Sequence, residues 1–146
     1  MTTTDPKYND EYPTCASTCV TLRIYPNNPD LELISRALAI QPSRVSGPTP
    51  NRPADKPGWF LSSKGSVTSK DTRRHIDWLV AILEPRAEAL RSLREATAKM
   101  DVSCYWLSAF GNGGPVLSVL QMVNLSNLGL DCEFDVYAAG DHGAAV

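Results

Sequence analysis

The segment Cys104-Tyr-Trp-Leu-Ser-Ala-Phe-Gly-Asn-Gly-Gly-Pro115 constrains the fold most, because an aromatic-rich apolar run stops at three glycines and a helical pattern follows the proline. This order predicts a strand, a tight loop and the start of a helix. Backbone N–H groups at a helix N-terminus can hold an anion or a carboxylate, so Asn112, Gly113 and Gly114 are candidate binding residues. The same glycines also suit a plain turn. The loop lacks the residues of a phosphate-binding P-loop, and Val116 stands where a dinucleotide-binding fingerprint has its third glycine.

Hydrophobic periodicity predicts four strands separated by helices. Val20, Leu22 and Ile24 alternate with polar residues, which is the period of a strand with one buried face. The other predicted strands are residues 59–63, 102–110 and 130–137. Apolar stripes at helical spacing predict a helix that begins at Pro29 behind an Asn28 cap and runs to Leu38, helices over residues 69–83 and 87–93, and a last helix from Pro115.

Proline divides the middle of the chain. The proline-rich stretch 41–58 predicts an extended surface loop. Pro85 disfavours helical dihedrals at Glu84, so the sequence predicts either one kinked helix or a helix pair broken at that residue.

These elements predict an α+β fold. We expect a four-stranded sheet, largely antiparallel or mixed, with the helices packed on one face, ferredoxin-like with an added helix between the second and third strands. A single domain is predicted over residues 14–139, between a mobile N-terminal arm (1–13) and a small-residue tail (140–146). In the last helix and strand, Leu120 and Phe134 are expected to face the core.

In this arrangement the uncovered sheet face carries polar and aromatic side chains together, and we expect it to contact a partner. Its candidate binding residues are Arg23, Tyr25, Asp135 and Tyr137. A charged residue between Leu22 and Ile24 usually needs a partner, and Asp135 on the same predicted face is the expected one. A structural ion pair and a clamp for a ligand carboxylate remain alternatives for Arg23.

Composition excludes several classes of function. The chain has 146 residues and a net charge of −2, and its basic residues alternate with glutamates over residues 84–99, so no nucleic-acid partner is expected. No apolar run reaches the length of a membrane span, and residues 1–10 do not resemble a signal peptide, which predicts a cytoplasmic protein without membrane contact.

The chemistry-bearing side chains are sparse. The four cysteines form no CxxC pair and have no neighbouring histidines, so we expect reduced structural thiols, no metal site and no cofactor. Asp71 precedes His75 by four residues, and an ion pair or hydrogen bond explains this histidine without catalysis. His142 lies in the tail. No catalytic residues are predicted, which favours a non-enzymatic protein.

Five short motifs follow one another along the chain. They are Leu22-Arg-Ile-Tyr25; Gly58-Trp59 with Leu61-Ser-Ser63; Trp78-Leu79 with Leu83-Glu-Pro85; Tyr105-Trp106 with Gly111-Asn-Gly-Gly-Pro115; and Glu133-Phe-Asp-Val-Tyr137. Together they resemble a bacterial family catalogued as a domain of unknown function, number 4279, over residues 21–137. The resemblance implies a compact single-domain cytoplasmic protein and carries no catalytic residue onto this sequence. Such families often accompany toxin or defence systems.

Two functions follow from these observations. The first is a non-catalytic protein-interaction domain, for example of the immunity type, which binds another protein through the open sheet face and the loop around Gly111, as a monomer or a homodimer. The alternative is a small-molecule or anion-binding domain that uses Arg23, Asn112 and the loop amides. The first predicts an exposed apolar or acidic patch, and the second predicts a closed pocket with convergent donors.

Overall fold

The computed structural model describes residues 8–138. In this part of the chain the strands are β1 (Cys15–Pro26), β2 (Arg44–Ser46), β3 (Gly58–Ser62), β4 (Thr97–Ser108) and β5 (Asp131–Ala138). The α-helices are α1 (Glu32–Leu38), α2 (Thr72–Leu83), α3 (Ala87–Ala96) and α4 (Val119–Asn127). The predicted tail and residues 1–7 of the predicted arm lie outside the described residues.

One mixed sheet organises the fold, with the strand order β2-β3-β1-β4-β5. The central strand β1 pairs antiparallel with β3 and β4, and β2 pairs antiparallel with β3. The last pair, β4 and β5, is parallel, and α4 lies in the crossover between them. The sheet therefore ends at two edges, β2 and β5.

The α+β class and the mixed sheet are confirmed, whereas the predicted number of strands is wrong and the ferredoxin-like arrangement is not confirmed. The additional strand is β2, which lies inside the stretch predicted to be a loop. Three residues are too few to show a period of two. β2 forms because Arg44 and Val45 pair with Phe60 and Trp59 of β3, a long-range pairing that no local pattern reveals.

The hydrophobic core lies between the helices and one face of the sheet. Alternate residues of β1, β3 and β4 point into it, as the period of two predicts. Its buried members are Val20, Leu22, Ile24, Ile34, Leu38, Trp59, Leu61, Ile76, Leu79, Val80, Leu83, Leu90, Met100, Val102, Cys104, Leu125, Leu128 and Leu130. Because the helices contribute to this single cluster, they cover one sheet face and leave the other uncovered.

Pro85 separates two helices, which decides between the two alternatives left open by the sequence. It lies in a 3-10 turn, Glu84–Arg86, that connects α2 to α3. Arg86 stabilises this turn from inside the fold, because its guanidinium donates to the carbonyl oxygens of Leu38 at 2.6 Å and Ile82 at 2.8 Å. The helix pair is therefore anchored to the end of α1.

The last helix begins at Val119, four residues later than the sequence predicts, and this changes its buried face. Ser118 and Gln121 form a capping box, in which the Ser118 N–H donates to Gln121 Oε1 at 2.8 Å. Gln121 is fully buried, and its Nε2 also donates to Asp77 of α2 at 3.0 Å. These bonds satisfy the polar groups of the amide inside the fold, so the glutamine can occupy the inner face of the helix. The expectation that Leu120 faces the core is consequently wrong, since this side chain is 49% exposed.

Phe134 has the predicted orientation, but the expectation that it is buried in the core is wrong. Phe134 is on the helix-facing side of β5, opposite Cys104 of β4, yet it is 45% exposed. The reason is its position on an edge strand, where only α4 is near enough to cover it, and α4 turns Gln121 and Leu125 inward.

The described part of the predicted arm contacts α2. The Asn9 N–H donates to Asp71 Oδ2 at 2.7 Å, and the Arg74 guanidinium donates to Asp10 Oδ1 at 2.8 Å. The Tyr8 hydroxyl donates to Asp77. These bonds hold residues 8–10 beside the N-terminal half of α2.

Candidate functional site

The centre of the uncovered sheet face is an ion-pair network around Arg23. Its guanidinium donates to both carboxylate oxygens of Asp101, at 2.7 and 2.8 Å, and to Glu133 Oε1 at 2.8 Å. These bonds raise the pKa of Arg23, chiefly through Asp101. The predicted pairing with Asp135 is therefore wrong, because Asp101 is directly opposite Arg23 in the antiparallel β1–β4 register. The structure shows the ion-pair alternative for Arg23.

Two further predicted site residues, Asp135 and Tyr137, lie together on β5. The Tyr137 hydroxyl donates to Asp135 Oδ2 at 3.0 Å, and this bond raises the pKa of Tyr137. The ring of Tyr137 also lies 5.7 Å from that of Tyr105 on β4. Glu133, two residues before Asp135 on the same face of β5, forms the ion pair with Arg23.

Tyr25 belongs to a different part of the same face. Its ring packs edge-to-face against Phe60 of β3, with 5.7 Å between the ring centres. The guanidinium of Arg44 on β2 lies 4.1 Å from the centre of the Phe60 ring, a cation–π contact. The sheet therefore separates Tyr25, on the β3 side, from Asp135 and Tyr137, on the β5 side.

The glycine loop is a closed turn and does not lie at a helix N-terminus. Ser108 Oγ accepts from the N–H groups of Phe110 and Gly111, at 3.3 and 2.9 Å, and its hydroxyl donates to the carbonyl of Asn112 at 2.7 Å. Gly113 has φ +83°, and a Cβ there would lie 2.5 Å from Thr14 Oγ1. The amides of Phe110 and Gly111 are therefore occupied within the loop. Because α4 begins only at Val119, Asn112, Gly113 and Gly114 do not lie at a helix start, and binding by these three residues stays a prediction.

The loop nevertheless lies beside β5. Asn112 and Gly113 share a depression of about 260 Å³ with Val136 and Tyr137. Gly114 does not line this depression. Of the seven predicted binding residues, the structure thus brings Asn112, Gly113 and Tyr137 to one place.

Sequence reasoning missed the exposed apolar side chains of the last third of the fold. In the described part of the chain, every large apolar side chain that is exposed, apart from Leu33 and Val45, lies between positions 110 and 137. Those on α4 and on the helix-facing side of β5 are Val119, Leu120, Met122, Val123, Phe134 and Val136. We call these six residues the α4–β5 surface. A groove of about 560 Å³ between Met122 and Phe134 joins its two parts.

The sequence did contain a signal for this surface. Ser118-Val-Leu-Gln121 has the spacing of a capping box, which marks Val119 as the first helical residue. Placing the buried stripe on Gln121 and Leu125 would then have left Leu120 and Val123 outside. A glutamine on the inner face of a helix is unusual, and only its contact with Asp77 explains it.

A serine–histidine pair exists in the fold but is inaccessible. The His75 Nε2–H donates to the carbonyl of Ser69 at 2.7 Å, and its Nδ1 accepts from the Ser63 hydroxyl at 2.7 Å. Ser63 and His75 are 0% and 1% exposed, so no substrate reaches them. The predicted neighbour Asp71 instead caps α2 and pairs with Arg73. Burial lowers the pKa of His75, which keeps the ring neutral.

The four cysteine thiols are also poorly placed to act as nucleophiles. All four cysteines are unpaired, and burial raises the pKa of Cys104 to about 12 and that of Cys132 to about 11. Thiols of this kind carry little thiolate at neutral pH and react slowly. Among residues 8–138, no group of three or more metal-ligating side chains is placed to hold an ion.

A second concave site lies where β1 begins. The register of β1 against β4 shifts between Cys15 and Ser17, which marks a β-bulge. A cavity of about 520 Å³ lies beside it under the turn that follows β3, and Lys64, Lys70 and Tyr105 are among its lining residues.

Taken together, the fold and the site define a small mixed α+β domain with one uncovered sheet face and an exposed apolar surface at one sheet edge. The chain belongs to the family described as Domain of unknown function (DUF4279), whose model matches residues 14–139. No curated protein and no solved structure matches the chain significantly. No helix within residues 8–138 has the length and apolar character needed to cross a membrane.

Proposed function

We propose that this protein is a non-catalytic protein-interaction domain that binds its partner through the α4–β5 surface. The observation that carries the proposal is the concentration of exposed apolar side chains there. Monomeric soluble proteins seldom expose contiguous apolar patches larger than roughly a few hundred Å². Patches above that size usually mark sites of protein or membrane interaction. A cytoplasmic location stays a prediction from the sequence, and an immunity-type role stays a prediction from the resemblance.

The geometry of this surface supports an extended contact area. Met122 and Val123 are 52% and 46% exposed on α4, and Val136 is 51% exposed on β5. Because the groove between Met122 and Phe134 connects the helix to the strand, one partner can contact both elements at once. Burial of such side chains contributes roughly 25 cal/mol per Å² of apolar area, before the costs of association.

Photo-crosslinking in cells that naturally express the chain tests the proposal. A photoreactive phenylalanine analogue at Met122 is expected to give a discrete protein adduct, because this exposed side chain lines the groove between α4 and β5. The same analogue at Leu33 of α1, a side chain 43% exposed outside that surface, is the matched control. Equal adducts at both positions, or none at Met122, would contradict the proposal.

Binding of a small anion is the second candidate function. The observation that favours it is the cavity beside the bulge of β1, where Lys64 and Lys70 supply two positive charges. This location differs from the predicted one, the glycine loop, which lacks the helix N-terminus that was expected to favour an anion because α4 begins only at Val119. An anion binder of this kind predicts no protein adduct at Met122, so the crosslinking experiment separates the two functions.

A further inference from the structure

We infer that the partner binds the α4–β5 surface as an extended strand, which adds to the edge of β5 and alternates apolar with basic residues. The inference rests on the proposed function and names the chemistry of the partner. In this mode, backbone hydrogen bonds supply affinity, and alternate side chains supply specificity.

The edge of β5 is open over a length that suits strand addition. β5 has eight residues and pairs with β4 on one side only, whereas the opposite edge strand, β2, has three residues. The β4–β5 register runs without a bulge from Asp131 to Ala138. Edge strands are normally protected by shortness, proline, a bulge or charged side chains. β5 has no proline, lysine or bulge, and its only charged side chains are acidic, so its edge is guarded against acidic strands but not against basic ones.

The two faces of β5 differ in chemistry. On the helix-facing side the strand presents Phe134 and Val136, both about half exposed. Phe134 lines the groove that also contains Met122, and Val136 lines the depression beside the glycine loop. Toward the uncovered face it presents three carboxylates, Asp131, Glu133 and Asp135. Directly opposite side chains of neighbouring strands share a face, so an added strand would place alternate residues in the groove and beside the carboxylates.

The carboxylates determine the charge of the added strand. Glu133 pairs with Arg23, but no lysine or arginine of residues 8–138 forms an ion pair with Asp131 or Asp135. The negative charges of Asp131 and Asp135 attract lysine or arginine in the added strand and repel glutamate or aspartate. We call the three carboxylates of β5 the acidic row.

The same row disfavours a second copy of this chain as the occupant. In an antiparallel β5–β5 pairing centred on Phe134, Glu133 of one copy would be opposite Asp135 of the other. Like charges directly opposite each other destabilise a strand pair. A heterologous basic strand has complementary charge, and we therefore assign the surface to a different protein.

Model peptides test the inference with purified protein. The probe is a fluorescein-labelled octapeptide of alternating lysine and valine, and its affinity is measured by fluorescence anisotropy. One control peptide alternates glutamate with valine, and a second carries four lysines followed by four valines. The alternating lysine peptide is expected to bind at least about tenfold more tightly than either control, because only it matches both charge and period. Equal affinities for all three peptides would overturn the inference.

Two variants locate the binding edge. Val136→Lys on β5 is expected to weaken binding about tenfold, since it places a charge on the apolar side of the edge. Val45→Lys on β2 is the matched control, because both valines are 51% exposed, and it is expected to leave affinity unchanged. If Val136→Lys binds as tightly as the parent, the strand does not add to β5.

A charge reversal tests the acidic row independently of folding. The double variant Asp131→Lys with Asp135→Lys is expected to prefer the alternating glutamate peptide over the lysine peptide. An unchanged preference would contradict the inference. A crosslinked adduct at Met122 together with loss of peptide selectivity would retain the proposed function and reject strand addition. An adduct that contains only two copies of this chain would reject the heterologous partner.

Discussion

At the scale of single residues, Arg23 has a structural role, because its charge is used in ion pairs on the uncovered face of the sheet. The Asp101 side chain is only 7% exposed, and Arg23 satisfies both of its oxygens. Arg23→Met keeps the apolar stem but removes the charge, so it leaves a buried carboxylate with only Lys99 at 3.6 Å. We expect a loss of about 2 kcal/mol in the free energy of unfolding, measured by urea denaturation.

Arg52→Met provides the matched control for this variant. Arg52 also pairs with an aspartate, Asp55, but its side chain is 75% exposed. Exposed ion pairs contribute little, so this variant should remain within about 0.5 kcal/mol of the parent. Equal unfolding midpoints for the parent and Arg23→Met would show that Asp101 does not depend on Arg23.

His75 makes stability depend on pH. Burial lowers its pKa in the folded protein, so below about pH 6.5 the unfolded chain takes up a proton that the folded chain does not. The free energy of unfolding is therefore expected to fall as pH decreases from 7 to 5. His75→Gln removes this titration, and its stability should vary less over the same range, as measured by urea denaturation at each pH.

The pH range between 7 and 5 distinguishes the effect of His75 on stability from that of the aspartates. The pKa of Asp10 is lowered mainly by its hydrogen bond with Arg74, so its stabilising effect is lost only in more acidic solution. His142→Gln measures the contribution of the other histidine of the chain. If the parent and His75→Gln lose stability in parallel between pH 7 and pH 5, His75 is not the group responsible.

At the scale of elements, the orientation of α4 yields a prediction that reverses the one made from the sequence. Leu125 is 5% exposed and belongs to the core, whereas Leu120 is 49% exposed. Leu125→Ala is expected to cost about 2–4 kcal/mol of stability, and Leu120→Ala less than about 0.5 kcal/mol. Urea denaturation of the two variants decides the orientation of the helix, and a larger loss for Leu120→Ala would contradict the structure.

Elements with a clear period were predictable. β1 alternates from Thr18 to Tyr25, and the predicted inward residues Val20, Leu22 and Ile24 are buried. β4 was recognised over residues 102–108 only, because its first residues, from Thr97, are too polar to stand out as a strand. β2 was not predictable, because its three residues owe their conformation to β3. The orientation of α4 depends on the polar contact between Gln121 and Asp77, which hydrophobic periodicity does not detect.

The candidate site was predictable to the extent that it depends on strand alternation. Alternation correctly placed Arg23 on the uncovered face, and Asp135 and Tyr137 likewise. It could not identify the partner of Arg23, because that depends on which strand lies beside β1, and the order of strands is a property of the whole sheet.

At the scale of the whole molecule, the sheet is asymmetric. Helices cover one face, the other carries the Arg23 network, and the two edges differ in length and exposed chemistry. The parallel pair β4–β5 and the helix between them come last along the chain, and they carry the six residues of the α4–β5 surface. The proposed binding surface thus lies at one end of the sheet, while the core that stabilises the sheet lies around β1.

The central pairing of β1 with β4 has a consequence for biosynthesis. Arg23 and Asp101 are 78 positions apart in the sequence. Every other residue pair between β1 and β4 likewise joins positions that are far apart in the chain and are therefore synthesised at different times. Until the ribosome has released β4, β1 can pair only with β3, and its other edge stays open to solvent. Contacts between distant segments slow folding, because the intervening chain must first be brought together. The nascent chain therefore completes its sheet late, and the segments that bear the α4–β5 surface are among the last to join it.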